Sequence, residues 1–187
     1  MTRSIPPSGP LSRRFDAASA RDTATSFALD TTPAERDALA RDCDLPGIDA
    51  LSAAFRIRRE GADGLHVTGT VSARVRQVCV VSLDEFASDV SEPVDVRFAP
   101  EAEVEELAAA RAARPGGDDE DLEDLPDPIV NGRVDLGSLA AEILVLGLDP
   151  YPRKPGVAFA DPAPEPAEEP EASPFAALKA LKGPETA

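Results

Sequence analysis

The sequence is short of the residues that catalysis and metal binding most often use. Among 187 residues it has one histidine (His66), two cysteines (Cys43 and Cys79), one tyrosine and no tryptophan. His66 alternates onto the wet side of a predicted strand with no recognisable acid or nucleophile beside it, so catalysis built on it is not expected. Two lone cysteines make neither a disulfide framework nor a zinc site. Gly61 and Gly64 end strands and precede no helix, which excludes a phosphate-cradling loop. No apolar run approaches the length of a membrane span, and the first residues carry no apolar signal core. The expectation is a reduced, cytoplasmic, non-enzymatic protein with no cofactor, no metal, no membrane contact and no small-molecule substrate.

Basic residues are also scarce: 19 against 35 acids, a formal charge of −16. The deficit is local. Residues 101–127 hold eleven acids and two bases, and residues 161–171 hold five acids and no base. The rest of the chain is therefore near neutral, with acidic appendages that repel nucleic acid unless a local patch overrides them. Nineteen prolines and few aromatics point to unfolded segments.

What is present is period-two alternation. From Leu65 to Arg76 the odd positions are Leu65, Val67, Gly69, Val71, Ala73 and Val75, and the even ones are polar. After Asp84-Glu85 the apolar row is Phe86, Val90, Val94, Val96 and Phe98. An antiparallel fold about Asp84-Glu85 predicts Cys79 opposite Val90, Val75 opposite Val94, Ala73 opposite Val96 and Val71 opposite Phe98. It also sets Arg74 opposite Asp95 on the wet face. Residues 51–60 alternate likewise. A loop Ala62-Asp63-Gly64, with Gly64 left-handed, predicts Phe55 beside Val71 and Ile57 beside Gly69. Three strands in a meander then share one apolar face.

Thr32-Pro33-Ala34-Glu35 predicts a helix to about Asp42: threonine caps, proline takes the first position and glutamate closes a capping box. Asp135 caps a second helix with Leu136, Leu139, Ile143 and Leu146 at helical spacing, widened by Leu144 and Leu148. Asn131-Gly132 marks a tight turn ahead of it. The expected fold is α+β: a twisted antiparallel sheet, with curling toward a barrel as an option, and the second helix on its apolar face. The expected organisation is an arm with an edge strand over 1–31 and a body over 32–159 interrupted by a mobile acidic insertion at 101–127. A Pro/Glu-rich linker with a short amphipathic end follows over 160–187.

Three features carry candidate function. Arg56, Arg58, Arg74, Arg76 and Arg97 alternate onto one sheet face, either as a solvated face with cross-strand ion pairs or as a patch for RNA phosphates. Phe175, Leu178 and Leu181 lie one helical turn apart beyond the linker, to fold back or to dock a partner. Cys79 falls on the apolar side and is expected to be a small buried hydrophobe.

The stretch Gln77-Val78-Cys79-Val80-Val81-Ser82-Leu83-Asp84-Glu85-Phe86 resembles the YceD family of large ribosomal RNA subunit accumulation proteins. So do Asp135-Leu136-Gly137, Glu142, Leu148-Asp149-Pro150-Tyr151-Pro152-Arg153 and Pro174-Phe175-Ala176-Ala177-Leu178. The Pro-Tyr-Pro-Arg form is similar to the proteobacterial branch. The resemblance marks Cys79, Asp135, Glu142, Asp149, Tyr151 and Arg153 as structural motif residues. Many relatives carry a second cysteine where this chain has Ser82, and some a cysteine-rich knuckle where it has the Pro/Glu linker, so no metal role carries over. The resemblance implies a non-enzymatic factor for accumulation of large-subunit ribosomal RNA, acting on a ribosomal protein, an assembly factor or precursor RNA. The alternatives are an acidic adaptor that shields a basic ribosomal protein, and a hydrolase.

Overall fold

Thr32 accepts the Glu35 N–H through its hydroxyl, and Glu35 Oε2 accepts the Thr32 N–H at 2.8 Å, so the capping box forms and starts α1, Pro33–Asp42. The computed structural model describes residues 9–113 and 124–158. Ahead of α1 come β1, Arg14–Asp16, and β2, Thr25–Asp30; after it come three long strands, β3, Gly47–Glu60, β4, Gly64–Val78, and β5, Glu85–Pro100. Then follow α2, Glu101–Ala112, β6, Asp127–Ile129, β7, Arg133–Asp135, and α3, Leu136–Leu146.

The main sheet has the order β2-β3-β4-β5-β6, and a small separate sheet pairs β1 with β7. The fold is α+β, as the alternation and helix signals predict. Two details differ from expectation: the sheet is open rather than curled into a barrel, and it is mixed, because β6 runs parallel to β5. The connection over residues 101–126, which includes α2, is long enough to return the chain parallel to β5. The Asn131-Gly132 turn then follows β6. Both residues are left-handed (φ 51° and 71°), and Val130 and Arg133 exchange two backbone bonds across it. Its two arms then go to different sheets, β6 to β5 and β7 to β1.

The apolar row survives, but its register is corrected. Ala73 faces Val90, Gly69 faces Val94, Val67 faces Val96 and Leu65 faces Phe98, while Arg74 faces Asp89 rather than Asp95. The displacement is six residues because the reversal occupies Cys79–Asp84, three residues before Asp84-Glu85. An even displacement keeps every side chain on its face, so the core is unaffected. The β3–β4 register likewise moves by two, placing Phe55 opposite Gly69 and Ile57 opposite Val67. Here the loop is Gly61-Ala62-Asp63 and Gly61, not Gly64, is left-handed (φ 65°). Gly69 is required for packing: a Cβ there would meet the Ala54 carbonyl oxygen at 2.1 Å.

The core lies on that face. Phe55, Ile57, Leu65, Val67, Val71 and Val75 of the sheet are buried against Leu39 of α1 and Leu136, Leu139, Ala140 and Leu144 of α3. Each buried leucine contributes about 1.5–3 kcal/mol. Leu146, expected in the apolar stripe, is 76% exposed. The buried positions run Leu136, Ala140, Leu144, and a residue two beyond Leu144 points about 200° away from it.

Residues 101–112, expected inside a mobile insertion, form α2. Its Glu, Ala and Leu content favours helix without burial, with Glu101 and Glu103 at the positive end of the helix dipole and Arg111 at the negative end. The rest of the insertion's centre, 114–123, lies outside the described residues.

Candidate functional site at the Cys79 turn and on the outer sheet face

The turn between β4 and β5 is built by Cys79. Its N–H donates to the Asp84 carbonyl and its carbonyl accepts from Leu83, both at 2.9 Å, closing a six-residue loop with Leu83 left-handed (φ 61°). The Cys79 side chain is fully buried, as expected from its place in the alternation. The Ser82 hydroxyl, then the backbone N–H groups of Ser82, Lys154 and Val81, surround its sulfur and pull the thiol down to about 6 against the effect of burial. Ser82 thus serves that sulfur as a donor through both its hydroxyl and its N–H.

The segment after α3 docks on this turn. Val80 N–H donates to the Pro152 carbonyl at 2.9 Å, and Lys154 Nζ lies 3.1 Å from Asp84 Oδ2, which holds that carboxyl below its usual range. Gln77, buried on the apolar face, donates to the Asp149 carbonyl at 3.2 Å and accepts from Ser88 Oγ at 2.7 Å. Asp149 Oδ1 accepts the Tyr151 N–H at 2.8 Å, fixing a turn bracketed by Pro150 and Pro152. The tip so formed shows Val80, Leu83 and Tyr151 to solvent, at 46%, 77% and 72% exposure.

Of the motif residues, Cys79, Asp149, Tyr151 and Arg153 therefore meet at one end of the sheet. Asp135 acts elsewhere. Its Oδ1 accepts from the N–H of Arg13, Gly137 and Ser138, and its Oδ2 from Ser12 Oγ, so it caps α3 and ties the N-terminal arm to it. Burial opposes the charge, but those four donors keep the carboxyl below its ordinary range. Glu142 is exposed on α3, beside a 330 Å³ cavity it shares with Arg14, Asp127 and Arg133. Phe175, Leu178 and Leu181 lie outside the described residues.

The five arginines share the outer face but fall into two groups. Arg56, Arg58 and Arg97 gather near the Gly61 hairpin, and Arg74 and Arg76 near the tip, with Thr68, Thr70 and Ser72 of β4 between them. Arg74 Nη1 lies 3.0 Å from Asp89, Arg76 Nη1 lies 3.1 Å from Glu85, and Arg58 and Arg97 flank Glu60 at 3.5 and 3.7 Å. Arg56 alone has no carboxylate partner among the described residues. His66, expected without partners, has two. Arg58 donates to its Nδ1 at 2.9–3.2 Å and its Nε2 lies 2.7 Å from Asp95 Oδ1, an arrangement that assigns the proton to Nε2. The residues that sequence reasoning missed are Val80, Leu83 and Lys154. The two valines of Val80-Val81 look like strand by propensity, whereas the Cys79 bonds to Asp84 and Leu83 place them in the turn and Val80 N–H bonds Pro152.

The open sheet and its one helix-covered face define an α+β protein whose β4–β5 turn leaves Val80, Leu83 and Tyr151 exposed. The chain belongs to the YceD family: the family model described as "Large ribosomal RNA subunit accumulation protein YceD" matches residues 67–182. That span takes in β4, β5, the tip and α3. No curated protein and no solved structure matches the chain. The family description links it to large-subunit ribosomal RNA. No helix among the described residues is long and apolar enough to cross a membrane.

Proposed function

We propose that this chain works in large-subunit biogenesis as a non-enzymatic binding factor, holding a ribosomal protein, an assembly factor or precursor RNA so that large-subunit RNA accumulates. The observation that supports this reading most is the tip: two family-resembling segments fold together and leave Val80, Leu83 and Tyr151 exposed. A rigid aromatic with apolar neighbours is the composition of an interaction hot spot. The phosphate-patch reading of the outer face has less support, because four of its five arginines already face a carboxylate. The adaptor reading draws on the net charge of −16, which suits a basic client. The test compares cells carrying the wild-type chain, none, or the Leu83→Ser/Tyr151→Ala variant. Large-subunit RNA should fall relative to small-subunit RNA in both altered strains, and the wild-type protein should sediment with large-subunit precursors. An unchanged RNA ratio in cells without the chain would reject the proposal.

A further inference from the structure

β5 pairs with β4 from Glu85 to Phe98, but on its other side, among the described residues, only Phe98–Pro100 pair, with β6. Pro93 faces Thr70 and has no N–H to give it. Antiparallel pairs alternate between bonded and unbonded, so the even-numbered residues of β5 bond β4 and the odd-numbered ones turn N–H and C=O outward. Among the described residues no backbone group bonds those of Ala87, Asp89, Ser91 or Asp95. Among the described residues, this stretch of β5 is therefore an open sheet edge.

Natural edges are blunted by charge and proline, and Pro93 with Asp89 and Asp95 does that here. The protection has one sign. From Glu85 to Arg97 the strand carries Glu85, Asp89, Glu92 and Asp95 against one base. On the outer face the rows alternate across the sheet: Arg74 and Arg76 on β4, then Asp89 and Glu85 beside them on β5. A further strand with basic residues on that face continues the alternation, whereas a second copy of this acidic chain sets like charges together. On the inner face the same strand would lie beside half-buried Phe86 and Val90.

We infer that the free edge of β5 between Ala87 and Asp95 takes an extended basic segment of a partner protein as an added strand, with basic residues alternating with small apolar ones. This deepens the proposed function and rests on it for the partner's identity: a basic polypeptide rather than RNA. The edge begins directly after the tip, so one partner can engage both.

The test uses the full chain and a nine-residue peptide alternating lysine with threonine and valine. Residue-resolved hydrogen exchange should slow at least ten-fold at Asp89, Ser91 and Asp95 when the peptide saturates, with little change at Val90, whose N–H already bonds β4. Ser91→Pro removes one outward N–H at a position equivalent to Pro93, and should weaken the peptide at least ten-fold. A peptide N-methylated on the amides facing β5 probes the same bonds with the protein unaltered, and should bind equally poorly. Protection elsewhere, equal binding of the N-methylated peptide, equal binding of a glutamate-for-lysine peptide, or protection by an RNA oligonucleotide instead would each overturn the inference. Protection without peptide that grows with protein concentration would assign the edge to self-pairing and overturn it too. These outcomes leave the ribosomal RNA ratio and sedimentation results untouched, so failure of the edge and failure of the proposed function are separable.

Discussion

Val80 and Pro152 are joined by one backbone hydrogen bond of 2.9 Å. It fastens the β4–β5 turn to the segment that leaves α3, and so makes a single tip from two stretches far apart in the chain. Three further contacts reinforce it: Gln77 to Asp149, Lys154 to Asp84, and the Lys154 N–H to the Cys79 sulfur.

Gln77 is the buried amide of that set and serves two partners at once. Gln77→Ala should strand the Ser88 hydroxyl and the Asp149 carbonyl and destabilise by about 1–3 kcal/mol. Urea unfolding followed by circular dichroism measures it, and a loss below about 0.5 kcal/mol would show that water replaces the amide.

Leu83 combines a left-handed backbone with a side chain that packs on little. For an L-residue that conformation costs about 1–2 kcal/mol, while glycine adds freedom to the unfolded chain. Leu83→Gly should therefore keep or raise stability, by up to about 1 kcal/mol, whereas Leu83→Ala keeps the strain. If the tip binds the partner, co-sedimentation with large-subunit precursors weakens in both variants despite intact folds.

Arg58 and Arg56 are two residues apart on the same face, yet they are not equivalent. Arg58→Glu places a carboxylate beside Glu60 and removes the donor to His66, and should cost about 1 kcal/mol. Arg56→Glu, with no carboxylate partner to lose among the described residues, should stay within about 0.5 kcal/mol of wild type. Melting temperatures of the two single variants at low and high salt separate the cases, since salt should shrink the Arg58 effect.

Cys79 is depressed from an ordinary 9 to about 6. A depressed group adds stability that is complete above its unfolded pKa and disappears as pH falls through the folded one. The stability of wild type over Cys79→Ala should therefore grow from pH 6 to pH 9. A flat difference across that range, measured by urea unfolding, would mean that the thiol stays protonated.

Glu35 receives two hydrogen bonds from Arg13, at 2.7 and 3.1 Å, and closes the α1 capping box. The Arg13 guanidinium, then the Thr32 N–H, lower its carboxyl from 4.5 to about 2. Its contribution is complete above about pH 4.5 and vanishes as pH falls through 2. Glu35→Gln should lower stability at pH 7 by about 1 kcal/mol and should converge with wild type near pH 2, as thermal melts at several pH values would show.

Local chemistry in the sequence determined the strands, the two capped helices and the faces. Alternation places Phe55, Val67 and Val71 inward whatever the register, because any displacement by an even number of residues preserves the face. Thr32 and Asp135 locate helix starts because a cap needs only its own next three residues. The tertiary structure decided where the chain reverses. Val80 and Val81 have strand propensity, yet they lie in a turn whose Val80 N–H bonds Pro152, a partner 72 residues away that no local pattern announces. The Cys79 bonds to Asp84 and Leu83 close the reversal there, six residues of register away from a turn at Asp84-Glu85, and the Pro152 bond fastens it to the segment after α3. Likewise the pairing of Arg74 with Asp89 and of His66 with Asp95 follows from register, which alternation leaves open and the position of a turn settles.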